Sequence, residues 1–210
     1  MQDKAAASLD AVYASGSADQ VAANYAAWAA TYDAETASYG YLLPFVITAW
    51  VARYVPACEG PLLDVGCGTG LTGPCLKALG YETVAGLDIS EEMLAIAAGR
   101  SSYHELKKAV LGEALPWPDG HFRAFLSAGV FTMGHAPASS LHELVRITRR
   151  GGHAIFTVRR EVLEEGGFRR VFTELEQAGR WRPVEEGPFF RCYAVADPEA
   201  MVKPFVFEVL

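Results

Sequence analysis

The sequence feature that most constrains the fold of this chain is an apolar run, residues 62–65, that ends in closely spaced glycines. A run of this length predicts a buried strand, and Gly66, Gly68 and Gly70 place backbone without Cβ atoms directly after it. Helix-forming residues begin at Leu71, and Gly80 ends that helix. The pattern predicts a strand, a loop and a helix whose turn lets a nucleoside-type cofactor lie close to the main chain.

Strand-like and helix-like segments alternate along the rest of the chain. Further strands are predicted at residues 83–87, 109–111, 124–128 and 153–158. Helices are predicted after the capping residue Ser90 and at residues 139–147 and 168–177. The C-terminal stretches 181–193 and 204–210 are strand-like, and we expect them to pair antiparallel. This alternation predicts an α/β fold with a parallel sheet that is covered by helices on both faces.

The first third of the chain is rich in alanine and favours helix. Ser17 and Gln20 match a capping box, which predicts that a helix starts there. Its apolar and aromatic residues recur at offsets of four, three and four: Val21, Tyr25, Trp28 and Tyr32. A second helix is predicted from about Pro44 to Val55. The spacing indicates a packed helix face, and for Trp28 we expect burial in the core.

Length and composition bound the class of protein. The 210 residues predict one domain, and no apolar run reaches the length of a membrane span. The N-terminus lacks the pattern of a secretory signal and the four cysteines form no C-x-x-C pair, so we expect a cytoplasmic protein without a metal site or a disulfide framework. A net charge of −7 gives no electrostatic reason to expect nucleic acid as a partner, and no membrane partner is expected.

The glycine loop can be aligned in two registers. Gly68, Gly70 and Gly73 match G-x-G-x-x-G, and Asp88 follows at the distance that is typical of dinucleotide-binding sites. That register predicts an NAD-dependent oxidoreductase, but it carries the first strand through a glycine, a residue type that is disfavoured in strands. In the other register the strand stops at Val65, directly before the glycines.

Residues 62–70 and 86–94 resemble the first two motifs of class I S-adenosylmethionine (SAM) dependent methyltransferases. The resemblance implies that Asp88 accepts hydrogen bonds from both ribose hydroxyls of SAM, that Ile89 and Met93 pack on its adenine, and that Asp64 orients the loop and the amino group. Family members commonly place an acidic residue after the third strand to bind the adenine amino group, and Glu113 is the candidate. The full set of implied cofactor-binding residues is Asp64, Gly66, Cys67, Gly68, Gly70, Asp88, Ile89, Met93, Glu113, Ser127, Tyr25 and Tyr32.

Over nearly the whole chain the sequence is similar to a narrower group, the Williams-Beuren syndrome region methyltransferase-like proteins. Residues 25–33 and 126–135 carry this similarity, while an arginine replaces the proline of a Pro-Gly-Gly turn before the fifth strand. The resemblance implies a Rossmann-like, doubly wound, mostly parallel seven-stranded sheet with a C-terminal antiparallel strand. It also implies an N-terminal helical lid, residues 1–56, over a SAM-binding core at residues 57–210.

Methyl transfer from a sulfonium needs no nucleophilic side chain, because alignment of the acceptor with the methyl group supplies much of the acceleration. A general base helps when the acceptor must lose a proton, and His135, just beyond the fourth strand, is the best-placed histidine. A structural hydrogen-bonding role is the alternative for His135. We expect a small-molecule acceptor between the lid and the loop that contains Phe131 and His135. A protein that binds SAM without transferring its methyl group stays a rival prediction.

Overall fold

The computed structural model describes residues 15–210 and places eight strands in one mixed sheet. The strands are β1 (Leu62–Val65), β2 (Val84–Asp88), β3 (Glu105–Lys108), β4 (Phe122–Phe131), β5 (Thr148–Arg159), β6 (Trp181–Glu186), β7 (Phe190–Arg191) and β8 (Met201–Val209). Their order is β3-β2-β1-β4-β5-β8-β6, and β7 pairs with β8. The first five strands are parallel and β8 runs antiparallel to β5. The Rossmann-like, mostly parallel sheet is therefore confirmed, and the two-residue β7 adds one strand to the seven predicted.

Seven helices cover the sheet in the described part of the chain. They are α1 (Ala18–Ser38), α2 (Leu43–Tyr54), α3 (Thr72–Ala78), α4 (Glu91–Gly99), α5 (Ser140–Ile147), α6 (Arg160–Glu165) and α7 (Phe168–Gln177). Ser17 begins α1 as predicted, because its hydroxyl accepts a hydrogen bond from the backbone N–H of Gln20 at 3.3 Å. The Gln20 side chain accepts from the N–H of Gly16 at 2.8 Å, one residue before the expected partner. Residues 1–14 of the predicted lid lie outside the described residues.

Both faces of the sheet are buried, which explains the continuous apolar runs of its inner strands. Successive residues of a strand point to opposite faces. Leu62 therefore belongs to a core cluster with Ile47 and Val51 of α2, whereas Leu63 belongs to the opposite cluster with Phe156. Burial from two sides fixes the positions of the inner strands, and their carboxyl ends form the floor of the site.

The predicted position of the third strand is wrong. β3 is the charged segment Glu105–Lys108, and residues 109–111 lie beyond its end. Because β3 is at the edge of the sheet, its charged side chains can reach solvent. Lys107 pairs with Glu105 at 2.8 Å and lies over the ring of Trp117. The apolar residues 109–111 line a cleft at the end of the sheet rather than the sheet itself.

β4 and β5 extend beyond their predicted ends, and α6 is an additional helix between β5 and α7. Arg123 interrupts the apolar pattern near the start of β4, which explains why the sequence predicts a shorter strand. Its Nε donates to Glu59 at 2.6 Å, and its Nη1 donates to the carbonyl of Gly151 at 2.5 Å. These partners neutralise a buried charge and allow the strand to continue through it.

Across residues 15–210, no helix is long and apolar enough to cross a membrane. The same residues contain no group of three or more His, Cys, Asp or Glu side chains that could hold a metal ion.

Candidate active site

A cleft lies at the carboxyl ends of β1, β2 and β4, where the strand order changes direction. Doubly wound sheets bind their ligands at this point, because the connections on either side leave in opposite directions. The cleft, here called the main cleft, encloses about 770 Å³ of space, part of it continuous with solvent. Small-ligand sites are typically concave clefts of this kind. Its lining includes Tyr25, Tyr32, Tyr41, Gly66, Gly68, Asp88, Ile89, Met93, Leu111, Gly129 and His135.

Gly66 and Gly68 bring the main chain to the surface of the main cleft. Both have positive φ, +67° and +54°, and a Cβ on Gly68 would meet nothing within 4 Å. A Cβ on Gly70 would lie 2.9 Å from the ring of Tyr103, so Gly70 permits close packing of the loop rather than approach of a ligand. β1 stops at Val65, as the register without the dinucleotide fingerprint predicts.

Two main-chain N–H groups hold the Asp88 carboxylate at the end of β2. Gly68 donates to Oδ2 at 2.8 Å, and Ser90 donates to Oδ1 at 2.9 Å. Asp88 is 8% exposed, and burial raises the pKa of its carboxyl while the backbone hydrogen bonds oppose the rise. Each carboxylate oxygen can accept a second hydrogen bond. Asp88 is therefore suited to a ligand with two neighbouring hydroxyl groups.

Apolar side chains line the main cleft beside Asp88, namely Ile89, Met93 and Leu111. A flat heteroaromatic ring buries well against such a wall. The cleft thus combines open space over Gly68, a carboxylate with spare acceptor positions and an apolar wall. These features fit the ribose and the base of a nucleoside cofactor.

A smaller compartment, the loop pocket, continues from the main cleft past the glycine loop to Asp64 and Cys67. Asp64 is 3% exposed, and the Tyr103 hydroxyl donates to its Oδ2 at 2.7 Å. Burial raises the pKa of Asp64 to about 7, the hydrogen bond from Tyr103 lowers it, and the nearby charge of Asp88 raises it further. A cationic ligand group in the loop pocket would favour the ionised carboxylate and pair with it.

α1 is attached to the glycine loop through Asp33. Thr69 Oγ1 donates to Asp33 Oδ1 at 2.6 Å, and the Arg100 guanidinium pairs with the same carboxylate. Arg100 Nε also donates to the carbonyl of Thr69 at 2.6 Å, so α1, the loop and the end of α4 share one network. Sequence reasoning missed all three residues. Asp33 lies in a stretch that carries the family resemblance, whereas Arg100 has no sequence signal.

Comparisons with known proteins decide the chemistry of this site. A family described as a methyltransferase domain matches residues 63–156. The Homo sapiens methyltransferase-like protein 27 is 33% identical over 183 residues, which cover 80% of this chain and 71% of the relative. This chain belongs to the SAM-dependent methyltransferases. Its cofactor is SAM, in agreement with the register in which β1 stops at Val65.

This methyltransferase is also similar to a curated rRNA methyltransferase and to a methyltransferase of known structure. The Bos taurus 18S rRNA (guanine-N(7))-methyltransferase is 30% identical over 129 residues, and the match covers 56% of this chain and 45% of that relative. The chain therefore spans less than half of that protein. A chain from the complex of the Haloferax volcanii Trm112 methyltransferase activator with a methyltransferase superposes with a TM-score of 0.68 at 17% identity, over 88% of this chain and 97% of the other. This last similarity shows the fold alone.

His135 of the methyltransferase lines the main cleft with both ring nitrogens engaged. Nδ1 lies 2.7 Å from the carbonyl oxygen of Met133, and because a carbonyl can only accept, Nδ1 carries the proton. Nε2 is then the acceptor for the Tyr25 hydroxyl, 3.0 Å away. Burial lowers the pKa of His135, which keeps the ring neutral at pH 7.

The aromatic residues of α1 divide between the cleft and the core. Tyr25 and Tyr32 line the main cleft. Trp28 is 4% exposed, and its Nε1 donates to Glu35 at 2.7 Å. The expected burial of Trp28 is therefore confirmed, while its neighbours on the helix face the main cleft.

Five of the predicted cofactor residues do not line the main cleft: Asp64 and Cys67 line the loop pocket, and Gly70, Ser127 and Glu113 line neither compartment. Ser127 is fully buried in β4, and its hydroxyl donates to the carbonyl of Val65 at 3.0 Å. Because side chains alternate along a strand, the next residue, Ala128, lines the cleft instead. Glu113 is exposed after a turn with positive φ at Gly112 and borders a separate groove. The side chain that sequence reasoning missed in this wall is Leu111.

Proposed function

We propose that this methyltransferase methylates a small-molecule acceptor that binds beneath α1. The observation that carries the proposal is the cover over the site: Tyr25 and Tyr32 of α1 line the main cleft, and Asp33 attaches the helix to the glycine loop. A covered cleft that continues into the loop pocket suits a cofactor and a small acceptor. The net charge of −7 further disfavours a nucleic-acid acceptor.

We assign the SAM contacts to residues that line the main cleft and the loop pocket. The Asp88 carboxylate accepts hydrogen bonds from the ribose hydroxyls, and the main chain from Gly66 to Gly68, including Cys67, lies along the cofactor. The Asp64 carboxylate pairs with the amino group. The proposed contacts with adenine are apolar: Ile89, Met93 and Leu111. When bound, SAM supplies a methyl group on a sulfonium. The sulfonium is an activated leaving group, because it becomes a neutral thioether once the methyl group is transferred.

The contribution of the chain to catalysis is alignment and exclusion of water. Tyr25 and Tyr32 close the main cleft from above, and a positioned acceptor gains much of the acceleration that displacement reactions allow. Of the two roles left open for His135, we favour the structural one. Its Nε2 accepts the Tyr25 hydroxyl, so His135 orients Tyr25 and any proton that reaches the ring passes through that hydroxyl.

Within the family we propose that the chain belongs with methyltransferase-like protein 27, because the similarity extends over 80% of this chain. Residues 25–33, at the centre of α1, support this placement by their likeness to the Williams-Beuren syndrome region proteins. We propose neither nucleic acid nor a membrane as a partner. The cytoplasmic location expected from the sequence stays a prediction.

The proposed function is tested by transfer of radiolabelled methyl groups from SAM into fractions of a cell extract that are separated by size. Because unreacted SAM is itself small, the small-molecule fraction is resolved further by chromatography. We expect a labelled compound other than SAM and its breakdown products with the wild-type protein, and none with Asp88→Ala. Glu113→Ala, which removes an exposed carboxylate outside the main cleft, is the matched control and should retain transfer. Label confined to RNA or protein would overturn the proposal. Binding of S-adenosylhomocysteine (SAH) without transfer to any fraction would favour the rival that binds SAM without methylating.

A further inference from the structure

A second cavity, here called the aromatic chamber, adjoins the main cleft and encloses about 470 Å³ with its opening to solvent. Its lining includes Trp28, Tyr32, Tyr41, Thr132, Arg159 and Cys192. Tyr32 and Tyr41 also line the main cleft and the loop pocket, so the three compartments meet at these two tyrosines. We propose that the aromatic chamber is the acceptor site and takes a small aromatic acid, which is methylated on its carboxylate oxygen. This inference rests on the proposed function and names its substrate class.

Gly129 of β4 lines both the aromatic chamber and the main cleft. Gly129 has a φ of +77°, and a Cβ there would lie 2.5 Å from the hydroxyl oxygen of Tyr41. Because Gly129 has no side chain, Tyr41 can approach the strand, and no Cβ separates the two compartments at this position. An acceptor in the chamber can therefore present an atom to the main cleft at this point, as an in-line displacement requires.

Two pairs of aromatic rings line the aromatic chamber. On α1, the ring centroids of Trp28 and Tyr32 are 4.8 Å apart, and those of Tyr41 and Tyr193 are 5.5 Å apart. Rigid aromatic side chains give a planar ligand a large contact area and lose little conformational entropy when they bind it. A flat aromatic ring is the ligand shape that these walls suit.

Charge decides which substituent the ring can carry. Among the described residues that line the aromatic chamber, Arg159 is the one that bears a charge, and its side chain is 12% exposed. Its Nε donates to Glu161 at 3.0 Å and its Nη2 lies 3.7 Å from Asp197, but neither carboxylate belongs to the lining. Burial raises the pKa of the Cys192 thiol, Arg159 lowers it, and Asp197 and Glu161 raise it. Because the guanidinium lines the chamber and its carboxylate partners do not, the charge nearest to a bound ligand suits an anionic substituent better than an ammonium group.

Thr132 supplies a hydroxyl for the same substituent. Its Oγ1 is buried and has no hydrogen-bond partner within residues 15–210, although a buried hydroxyl without a partner is costly. A carboxylate in the chamber can accept from Thr132 as well as from Arg159. This arrangement satisfies the hydroxyl and places both oxygens of the acid against donors.

Among the described residues, no side chain that lines the aromatic chamber takes a proton directly at neutral pH. Burial raises the pKa of Tyr41 above its usual range and that of Cys192 to about 12, and His135 lines the main cleft rather than the chamber. The acceptor atom must therefore have a reactive electron pair without first losing a proton to the protein. A carboxylate oxygen supplies the pair of the new O–CH3 bond, the pair of the broken C–S bond stays on sulfur, and the products are a methyl ester and SAH. No proton is transferred.

The experiment uses the full chain loaded with SAH and a panel of matched probes in calorimetric titrations. The acids are benzoate, phenylacetate and indole-3-acetate, each compared with its amide and with the corresponding amine. We expect at least one acid to bind saturably, its amide and amine to bind about tenfold more weakly, and the same acid to yield its methyl ester with SAM. Arg159→Gln should weaken the acid about tenfold and leave SAH affinity unchanged, and Thr132→Val should weaken it about threefold. Arg170→Gln, at an exposed arginine of α7, is the matched control.

Three outcomes would overturn the inference: amines that bind as tightly as acids, an Arg159→Gln variant with unchanged acid affinity, or SAH-loaded protein that binds none of the acids. If Arg159→Gln does not fold, Thr132→Val decides by the same comparison, because an unchanged acid affinity in that variant also contradicts the site. Failure of the wild type to bind SAH would instead contradict the proposed function. The two failures are therefore separate readouts of one titration series.

Discussion

The two halves of the active site are built in different ways. The cofactor half consists mainly of main chain from the glycine loop and of Asp88, which lie on two neighbouring strand ends. The proposed acceptor half, the aromatic chamber, takes its side chains from α1, from Tyr41 between α1 and α2, from the ends of β4 and β5, and from Cys192 and Tyr193 after β7. Local sequence encodes the first half, and the tertiary fold assembles the second. Substitutions in the two halves should therefore affect different measurements.

The largest expected effect is that of Asp88→Ala on the cofactor half. The substitution removes both carboxylate oxygens that we assign to the ribose, and it also leaves the N–H groups of Gly68 and Ser90 without their acceptor. We expect SAH affinity to fall about 100-fold, the loss typical of two charge-assisted hydrogen bonds. Calorimetric titration measures it, with Glu113→Ala as the control. Unchanged affinity in Asp88→Ala would contradict the ribose assignment.

A pair of glycine substitutions separates cofactor contact from packing within the same loop. Gly68→Ala places a methyl group in the open cleft at a φ of +54°, so SAH affinity should fall about tenfold while the free energy of unfolding falls by about 1 to 2 kcal/mol. Gly70→Ala places its methyl group 2.9 Å from the ring of Tyr103 and 3.2 Å from the backbone of Ala97. Gly70→Ala should therefore lose more stability, by about 1 to 3 kcal/mol from overpacking in addition to the strain at positive φ.

Urea unfolding and SAH titration of both variants check the glycine prediction. A Gly68→Ala variant that binds SAH as well as the wild type would show that the cofactor does not approach the loop at this position. A Gly70→Ala variant that is as stable as Gly68→Ala would contradict the packing role of Gly70.

The same contrast explains how much could be predicted from the sequence. The glycine loop, Asp88 and the Ser90 cap are contiguous patterns with a local physical cause, so their positions and the fold class follow from the residues. β3 could not be predicted, because its charged side chains are stable only at the edge of the sheet, a property of the strand order. Tyr41 and Arg159 belong to no pattern, since only the folded chain brings them together across 118 positions of sequence.

The loop pocket predicts a pH dependence of cofactor binding. Burial raises the pKa of Asp64 from its ordinary 3.8 to about 7, so the free protein holds a proton there that the unfolded chain releases near pH 4. The free energy of unfolding should therefore fall as the pH rises from about 4 to about 7, while SAH affinity should rise about tenfold between pH 5.5 and 7.5 as the carboxylate ionises. Asp64→Asn should remove both slopes. Equal slopes in this variant and the wild type would assign the pH dependence to another group.

A smaller effect is expected for the attachment of α1 to the loop. Asp33→Asn removes the charge that pairs with Arg100 but can keep the hydrogen bond from Thr69. Both charged side chains are partly exposed, so the pair contributes about 1 kcal/mol or less, and SAH affinity should fall about threefold. Amide hydrogen exchange should become faster in α1 and stay unchanged in α7. Uniformly faster exchange would indicate a loss of global stability rather than a loosened lid.

The smallest effect is expected for His135→Gln. Nε2 of His135 accepts the Tyr25 hydroxyl, and the ring lines the main cleft outside the aromatic chamber, so its removal should change the orientation of Tyr25 without removing a proton acceptor from the reaction. We expect kcat with an acid acceptor to fall less than about threefold, well below the usual contribution of general acid–base catalysis, and its pH profile to keep its shape. Tyr25→Phe should have a similar effect. A loss of about 100-fold or more, with a changed pH profile in His135→Gln alone, would make His135 a base and would require an acceptor that loses a proton, in conflict with the acid that we propose.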